Sequence, residues 1–213
     1  MCEDDPNTDT DTFGPLEPKT CVILNGPPGC GKDTIAEIME AAYCYTKVAF
    51  KDILYKETAD HYDFPVEALI QLCTDREAKE TSQPFLGGRS PRGALQHVSE
   101  RIIKPAKGKG YFGEQLALNC ADIPGDCVVS DGGFVEEVLP LLATFTNIRI
   151  VRLYREGCDF QEDTREYLRL RQFPSGLKPM ILVSAELIHE NNPGATAYRV
   201  DQLAQKTRTY SYD

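Results

Sequence analysis

The 213-residue sequence predicts an α/β fold in which helices cover both faces of a parallel β-sheet. Short apolar runs alternate along the chain with longer segments that have helical periodicity. This alternation is typical of parallel strands joined by helical crossovers. One loop between a strand and a helix is rich in glycine and ends in lysine, which is typical of a phosphate-binding site. The sequence therefore predicts a parallel sheet with a phosphate site in the loop between one strand and the following helix.

The elements follow one another from residue 20 onward. Residues 1–19 are polar and acidic, and we interpret them as a flexible leader before a single domain at 20–213. The predicted strands are Cys21–Leu24, Lys47–Phe50, Cys127–Ser130, Ile148–Leu153 and, with a less regular pattern, Glu186–His189. The first helix is expected from Gly31 onward, and further helices are expected at 52–62, 92–103, 112–121, 134–144 and 162–171.

The net charge of −10 is unevenly distributed and argues against a general DNA-binding surface. Residues 76–110 differ in sign from the rest of the chain. They contain eight Lys or Arg and three Glu, which gives a net charge of +5. Glycine and proline place much of this basic segment on loops, where an acceptor phosphate can bind through arginine. Arg76, Arg89 and Arg92 are the candidates for that role. The alternative is that these cations are simply solvated.

The sequence has no feature of a secreted or membrane-spanning protein. Apolar runs are shorter than the ~18–20 residues of a membrane span, and the acidic N-terminal segment does not resemble a secretory signal. None of the eight cysteines forms a C-x-x-C pair, so a zinc ribbon or thioredoxin-type site is not indicated. We therefore expect reduced thiols, a cytoplasmic location and no membrane partner.

The strongest motif spans Gly26–Lys32 and matches G-x-x-x-x-G-K. Glycines allow successive backbone N–H groups to turn toward a phosphate, and the following helix directs its positive end at the same anion. The lysine supplies a full charge to the β- and γ-phosphates. The motif therefore predicts an ATP site formed by Gly26, Gly29, Cys30, Gly31, Lys32, Asp33 and Thr34.

Two carboxylates are candidates for magnesium binding or catalysis near this loop. Asp33 stands where the common motif has Ser or Thr, so either Asp33 or the next residue, Thr34, can serve as the magnesium ligand. Asp131 follows the predicted strand Cys127–Ser130, and ligands of open α/β sheets bind at the carboxyl ends of strands. The alternatives are an acid that favours a helix N-terminus for Asp33 and a turn residue for Asp131.

A second group of arginines follows the predicted strand Ile148–Leu153. Arg165 and Arg169 are four residues apart and would share one face of a helix. A mobile lid that carries Arg155, Arg165 or Arg169 can stabilise the charge that develops during phosphoryl transfer. The alternative is a helix whose arginines form surface salt bridges.

Several motifs resemble the deoxynucleoside monophosphate kinases encoded by bacteriophages. The phosphate loop continues as Gly-Lys-Asp-Thr, and later similarities are Phe50–Lys56, Ser90-Pro91-Arg92, Gln96, Ile103-Lys104-Pro105, Tyr111-Phe112-Gly113, Ser130–Phe134 with Glu137, and Asn191–Gly194. The resemblance is discontinuous over residues 20–205, and the order of the motifs is its most specific feature. The sequence departs from the family at Gly133, where some relatives have arginine.

This resemblance implies a P-loop kinase fold with a five-stranded parallel core, an acceptor-binding insert at about 57–113 and a lid at about 155–172. It also implies ATP and Mg²⁺ as cofactors and nucleotides as substrates. If a phage encodes the chain, the location would be the host cytoplasm, and a homodimer is compatible with the resemblance. Asn192 would lie near the adenine. The acceptor would contact Asp52, Arg76, Arg89, Arg92, Gln96 and Glu137.

Two other functions remain open from the sequence. A related kinase can phosphorylate a hydroxyl group, such as that of 5-hydroxymethyluracil in phage DNA, with Asp52 or Asp131 taking the proton. Asp52 can instead be the N-cap of a helix that begins at Ile53. A nucleotide-binding switch without turnover is the second alternative, and it leaves the two arginine groups without a role.

Overall fold

The computed structural model describes residues 18–161, 165–187 and 192–205. Its centre is a parallel sheet with the strand order β2-β3-β1-β4-β5. The strands are β1 (Thr20–Asn25), β2 (Thr46–Val48), β3 (Cys127–Val129), β4 (Asn147–Tyr154) and β5 (Ile181–Leu187). Helices pack on both faces, so the predicted α/β class is confirmed.

Strand β1 lies at the centre of the sheet and is buried on both faces. Cys21 and Ile23 pack into one apolar cluster, while Val22 and Leu24 pack into the cluster on the opposite face. A run of consecutive apolar residues is expected for a strand that is covered on both sides. Because β1 is the central strand, the loop that follows it lies between the ends of the neighbouring strands β3 and β4.

The helices differ in length along the chain. They are α1 (Lys32–Tyr43), α2 (Phe50–Tyr62), α3 (Val66–Thr74), α4 (Pro91–His97), α5 (Lys104–Lys107), α6 (Tyr111–Ala121), α7 (Val135–Val138) and α8 (Pro193–Gln205). Between α4 and α5 the chain forms a π-helix at Val98–Ile103, so that residues 91–107 make one continuous helical segment. Such π-helical segments are rare and often lie at functional sites.

Two predicted strands need correction. The run Lys47–Phe50 is a strand only to Val48, and Phe50 is the first residue of α2. The last strand is Ile181–Leu187 rather than Glu186–His189, and residues 188–191 lie outside the described residues. Helices α3 and α8 were not predicted.

The predicted helix at 162–171 is wrong in its described part. Residues 165–169 have no regular secondary structure, and a short 3-10 turn follows at Leu170–Gln172. The side chain of Asn25 accepts a hydrogen bond from the Leu168 backbone N–H at 2.8 Å and donates one to the Glu166 carbonyl at 3.2 Å. These backbone groups are therefore bonded to the end of β1 rather than to a helical turn. Residues 162–164 lie outside the described residues.

No helix within the described part of the chain combines the length and the apolar character needed to cross a membrane.

Candidate active site

The loop between β1 and α1 contains two glycines in the left-handed backbone region. Gly29 and Gly31 have φ angles of 76° and 92°, which are rarely adopted by residues with a side chain. Gly26 is tightly enclosed, because a Cβ atom there would lie 2.8 Å from the Leu153 carbonyl oxygen. The glycines are therefore required by the path of the chain, as the motif predicts.

Lys32 is turned back onto this loop. Its ammonium group donates hydrogen bonds to the carbonyl oxygens of Pro27 at 2.6 Å and Gly26 at 2.7 Å, and the residue is only 8% exposed. Burial lowers the pKa of Lys32, an effect that the Cys30 thiol opposes and Arg165 strengthens. The loop therefore carries a buried positive charge at the position where a phosphate would enter.

Two other side chains contact the loop. Cys30 is completely buried, and burial raises the pKa of its thiol despite the nearby Lys32. A buried thiol of this kind is expected to be unreactive. Arg155 reaches the loop from the chain that follows β4, and its guanidinium donates to the Gly29 carbonyl at 3.2 Å. Of the three predicted lid arginines, Arg155 is thus the one bonded to the loop backbone.

Asp33 is the centre of a small network on the first turn of α1. Its Oδ1 atom accepts a hydrogen bond from the Ser130 hydroxyl at 2.7 Å and lies 3.3 Å from the Lys51 ammonium group. Burial by itself would raise the pKa of Asp33, but the Ser130 hydrogen bond and the Lys51 charge outweigh it and lower the pKa. Asp33 is therefore held as a carboxylate at neutral pH.

Asp131 lies at the end of β3 and binds the N-terminus of α2. Its two carboxylate oxygens accept backbone hydrogen bonds from Phe50 at 3.1 Å and Lys51 at 2.7 Å. Burial raises the pKa of Asp131 even though these N–H groups favour the charged form. Asp131, which follows β3, thus satisfies two backbone N–H groups at the N-terminus of α2. Asp52 is not an N-cap, which was the alternative to its predicted contact with the acceptor, because α2 begins at Phe50 and Asp52 is an exposed residue of its first turn.

A cavity of about 700 Å³ opens beside this network. Its volume is in the range of small-molecule sites. It brings together five of the predicted residues, namely Arg92, Gln96, Asp131, Glu137 and Arg165. Much of the remaining wall comes from the start of α2 and from the helical segment 91–107, including its π-helical part.

The cavity wall combines aromatic rings with positive charge. Phe50, Phe112 and Phe134 line it, together with the cations Lys51, Arg92, Arg101, Lys104 and Arg165. Aromatic rings offer surfaces on which a planar base can stack, and arginine and lysine bind phosphate. This combination suits an anionic molecule that carries an aromatic ring.

Glu137 is a buried acid of the cavity whose pKa is raised. It is only 6% exposed, and burial raises its pKa from 4.5 to about 7, while Lys104 at 3.8 Å opposes the shift. Gly113 of α6 lies against the same backbone, because a Cβ atom there would be 2.1 Å from the Glu137 carbonyl oxygen. The close contact between α6 and α7 therefore fixes where Glu137 enters the cavity.

Arg165 occupies the space beside Gly133, the position at which the sequence departs from the family it resembles. A Cβ atom on Gly133 would lie 2.6 Å from Cδ and 2.9 Å from Cβ of Arg165. The Arg165 guanidinium donates a hydrogen bond of 3.5 Å to the Asp131 carbonyl. An arginine is thus present near Gly133, but it comes from the segment after β4.

The remaining predicted residues lie outside this cavity. Asp52, Arg76 and Arg89, which were predicted to contact the acceptor, are not among its lining residues. Thr34 is exposed on the first turn of α1. Arg169 lines a separate cavity of about 360 Å³ with Arg152, Leu170 and Arg171. Asn192 accepts a backbone hydrogen bond from Ala195 at 2.8 Å at the beginning of α8.

Sequence reasoning did not identify Lys51, Ser130 or Asn25 as site residues. Asn25 donates to the Gly132 carbonyl as well as to the Glu166 carbonyl, both at 3.2 Å, and so positions two segments of the site. All three residues lie at or just beyond carboxyl ends of neighbouring parallel strands. That placement was available as a signal, since ligands of such sheets bind at this edge.

The oxygen donors near the loop fit a magnesium ion that is held partly by nucleotide phosphates. Asp33 presents a largely exposed carboxylate, and carboxylate oxygens suit Mg²⁺. Within the described residues, no group of three or more His, Cys, Asp or Glu side chains is arranged to hold a metal. Magnesium commonly uses one or two carboxylates together with substrate phosphates, so Asp33 is the residue that would hold it.

The similarity of this chain to known proteins is structural. No protein-family model and no curated protein match the chain. Among solved structures, a dephospho-CoA kinase from Campylobacter jejuni is similar, with a TM-score of 0.43 and 14% sequence identity. The alignment covers 86% of this chain and 95% of that chain. At this level of similarity, neither a family nor an activity follows for this chain.

Proposed function

We propose that the chain is a P-loop kinase that transfers the γ-phosphoryl group of ATP to a deoxynucleoside 5′-monophosphate, as in the bacteriophage kinases that its motifs resemble. The observation that supports this most directly is the junction between the phosphate loop and the cavity. Asp33 of the loop helix contacts the ammonium group of Lys51, and Lys51 is also a lining residue of the cavity. A donor in the loop and an acceptor in the cavity would therefore meet at these residues.

The proposed roles follow from the positions of the side chains. Lys32 and the loop amides bind the donor phosphates, and Arg155 lies against the same loop. Arg92, Lys51 and Arg165 bind the acceptor phosphate, and the aromatic wall holds the base. Asp33 would hold magnesium, which neutralises phosphate charge when it is bound.

A phosphate acceptor agrees with the state of the acids around the cavity. Transfer to a phosphate oxygen needs no strong base, because the acceptor is already anionic at neutral pH. Both carboxylate oxygens of Asp131 accept backbone N–H groups of α2, which is a positioning task. The five cations of the wall outnumber its three acids, Glu100, Asp131 and Glu137, which favours an anionic acceptor.

The direct test is an assay of ADP release with ATP, Mg²⁺ and each deoxynucleoside monophosphate in turn. We expect turnover with at least one of the four, and Arg92→Ala is expected to raise the acceptor KM about tenfold while ATP binding is retained. Arg76→Ala is the matched control, since Arg76 is exposed and does not line the cavity. The absence of turnover with every monophosphate, together with labelling of 5-hydroxymethyluracil DNA, would replace this proposal by the hydroxyl-directed kinase.

Gly133→Ala tests the role of Arg165 without removing its charge. The new methyl group would overlap with Arg165, so this side chain must leave its position beside Asp131. We expect kcat to fall about tenfold, with a loss of stability of roughly 1–3 kcal/mol from overpacking. Steady-state kinetics and urea unfolding measure the two effects.

A matched control and a double mutant complete this test. Gly176→Ala adds a methyl group where no atom lies within 4 Å and is expected to leave kcat unchanged. If Gly133 acts through Arg165, the variant that combines Gly133→Ala with Arg165→Ala should be no slower than Arg165→Ala alone. Additive losses would show that Gly133 matters for another reason.

A further inference from the structure

Lys51 connects the phosphate loop to the acceptor cavity. Its ammonium group lies 3.3 Å from Asp33 Oδ1, and the residue is also one of those that line the cavity. Its backbone N–H donates to Asp131 at 2.7 Å, which fixes the Cα atom while leaving the long side chain able to rotate. Lys51 can therefore reach groups on both sides of the junction from one anchored position.

The contact between Lys51 and Asp33 is suited to exchange. Both side chains are substantially exposed, at 39% and 60%, and an exposed ion pair contributes only about 0.2–1 kcal/mol. Asp33 also accepts a hydrogen bond from Ser130 at 2.7 Å, which does not involve Lys51. The carboxylate therefore stays in place whether or not the ammonium group is beside it.

We propose that Lys51 is a shared cation, which neutralises Asp33 in the nucleotide-free protein and binds the anionic group of the acceptor once magnesium and nucleotide occupy the loop. This inference rests on the proposed function. The Asp33 carboxylate would hold either the Lys51 ammonium group or magnesium, so the binding of magnesium would release Lys51. Binding of magnesium–nucleotide and of acceptor is then positively coupled, and the coupling is the same in both directions.

Calorimetry of acceptor binding tests this coupling. Each of the four deoxynucleoside monophosphates is titrated with and without Mg²⁺ and a non-hydrolysable ATP analogue. We expect the analogue to tighten acceptor binding about fivefold or more in the wild-type protein, and we expect Lys51→Ala to reduce this factor below about two. Coupling that persists in Lys51→Ala would overturn the inference.

The Mg²⁺ concentration that nucleotide binding requires gives a second readout, because the two possible roles of Lys51 change it in opposite directions. Removing a competing ammonium group should lower the Mg²⁺ concentration at which Lys51→Ala binds the analogue half-maximally. Removing a direct ligand of the nucleotide would instead weaken analogue binding and raise the magnesium requirement. A raised requirement would therefore also contradict the inference.

Lys47→Ala is the control for the loss of a nearby charge. Lys47 also lowers the pKa of Asp33, but its ammonium group is bonded to Glu37 at 3.1 Å rather than to Asp33. This variant is expected to keep the acceptor coupling. If no monophosphate binds in either state, the proposed acceptor class is wrong, while the magnesium titration still decides whether Lys51 competes at Asp33.

Discussion

Replacing Lys32 by alanine is expected to reduce kcat/KM for phosphoryl transfer about 10³-fold and to abolish measurable ATP binding. The Lys32 ammonium group is the buried positive charge of the phosphate loop. Alanine leaves the carbonyl oxygens of Gly26 and Pro27 without this donor and leaves the triphosphate without a cation at its centre. Calorimetry with ATP and steady-state kinetics measure the two losses.

Lys32→Arg separates charge from shape at the same position. An arginine side chain carries the same charge, but its planar guanidinium is larger than the ammonium group enclosed here. We expect Lys32→Arg to lose most of the activity as well, while urea unfolding shows that both variants remain folded. ATP binding by Lys32→Ala at wild-type affinity would mean that this loop is not the nucleotide site.

The phosphate loop could be predicted from the sequence because its determinants are local. The apolar run of β1, the glycines at 29 and 31 and the periodicity of α1 are contiguous, and each residue type is required by the backbone at that point. Local sequence and tertiary structure favour the same conformation here. Consistency of this kind makes sequence reasoning reliable.

The network around the loop could not be predicted in the same way. Asp33, Lys51 and Ser130 come from three separate segments, and their contact depends on β2, β3 and β1 being neighbours in the sheet. The spacing of apolar residues does not specify strand order. Asp131 was recognised as a strand-end acid, but its hydrogen bonds to α2 join residues that are 80 and 81 positions apart.

The segment at 162–171 shows how a tertiary contact overrides a local pattern. Arg165 and Arg169 have helical spacing, yet the described residues between them form no helix. Asn25 binds the backbone of Glu166 and Leu168, and Leu168 is almost completely buried. The hydrogen bonds that a helix would make internally are made with the end of β1, and this places Arg165 in the cavity.

Glu137→Gln is expected to stabilise the protein by about 3 kcal/mol at pH 8 and to have little effect below pH 4.5. Burial raises the pKa of Glu137 from 4.5 in the unfolded chain to about 7 in the folded protein. Between these values the folded state binds more protons, so its stability falls as pH rises. Glutamine is neutral at every pH and removes this contribution.

The measurement is the difference in unfolding free energy between variant and wild type from pH 4 to pH 9. Taking a difference cancels the other titrating groups, and the curve should rise mainly between pH 4.5 and 7. Glu136→Gln is the matched control, because Glu136 is adjacent in sequence but pairs on the surface with Lys109 at 3.9 Å. A flat curve for Glu137→Gln would show that Glu137 is solvated in the folded protein.

The same carboxyl group should make acceptor binding depend on pH. Loss of the Glu137 proton near pH 7 adds a negative charge to a cavity that is proposed to bind a phosphate. Among the described residues, only Lys104 lies within salt-bridge distance of Glu137, and Lys104 also pairs with Glu100 at 2.7 Å. The acceptor KM of the wild-type enzyme should therefore rise as pH increases through 7, whereas the KM for ATP should not. In Glu137→Gln the rise in acceptor KM should disappear. If it persists, another group controls the charge of the cavity, and Glu137 acts on stability alone.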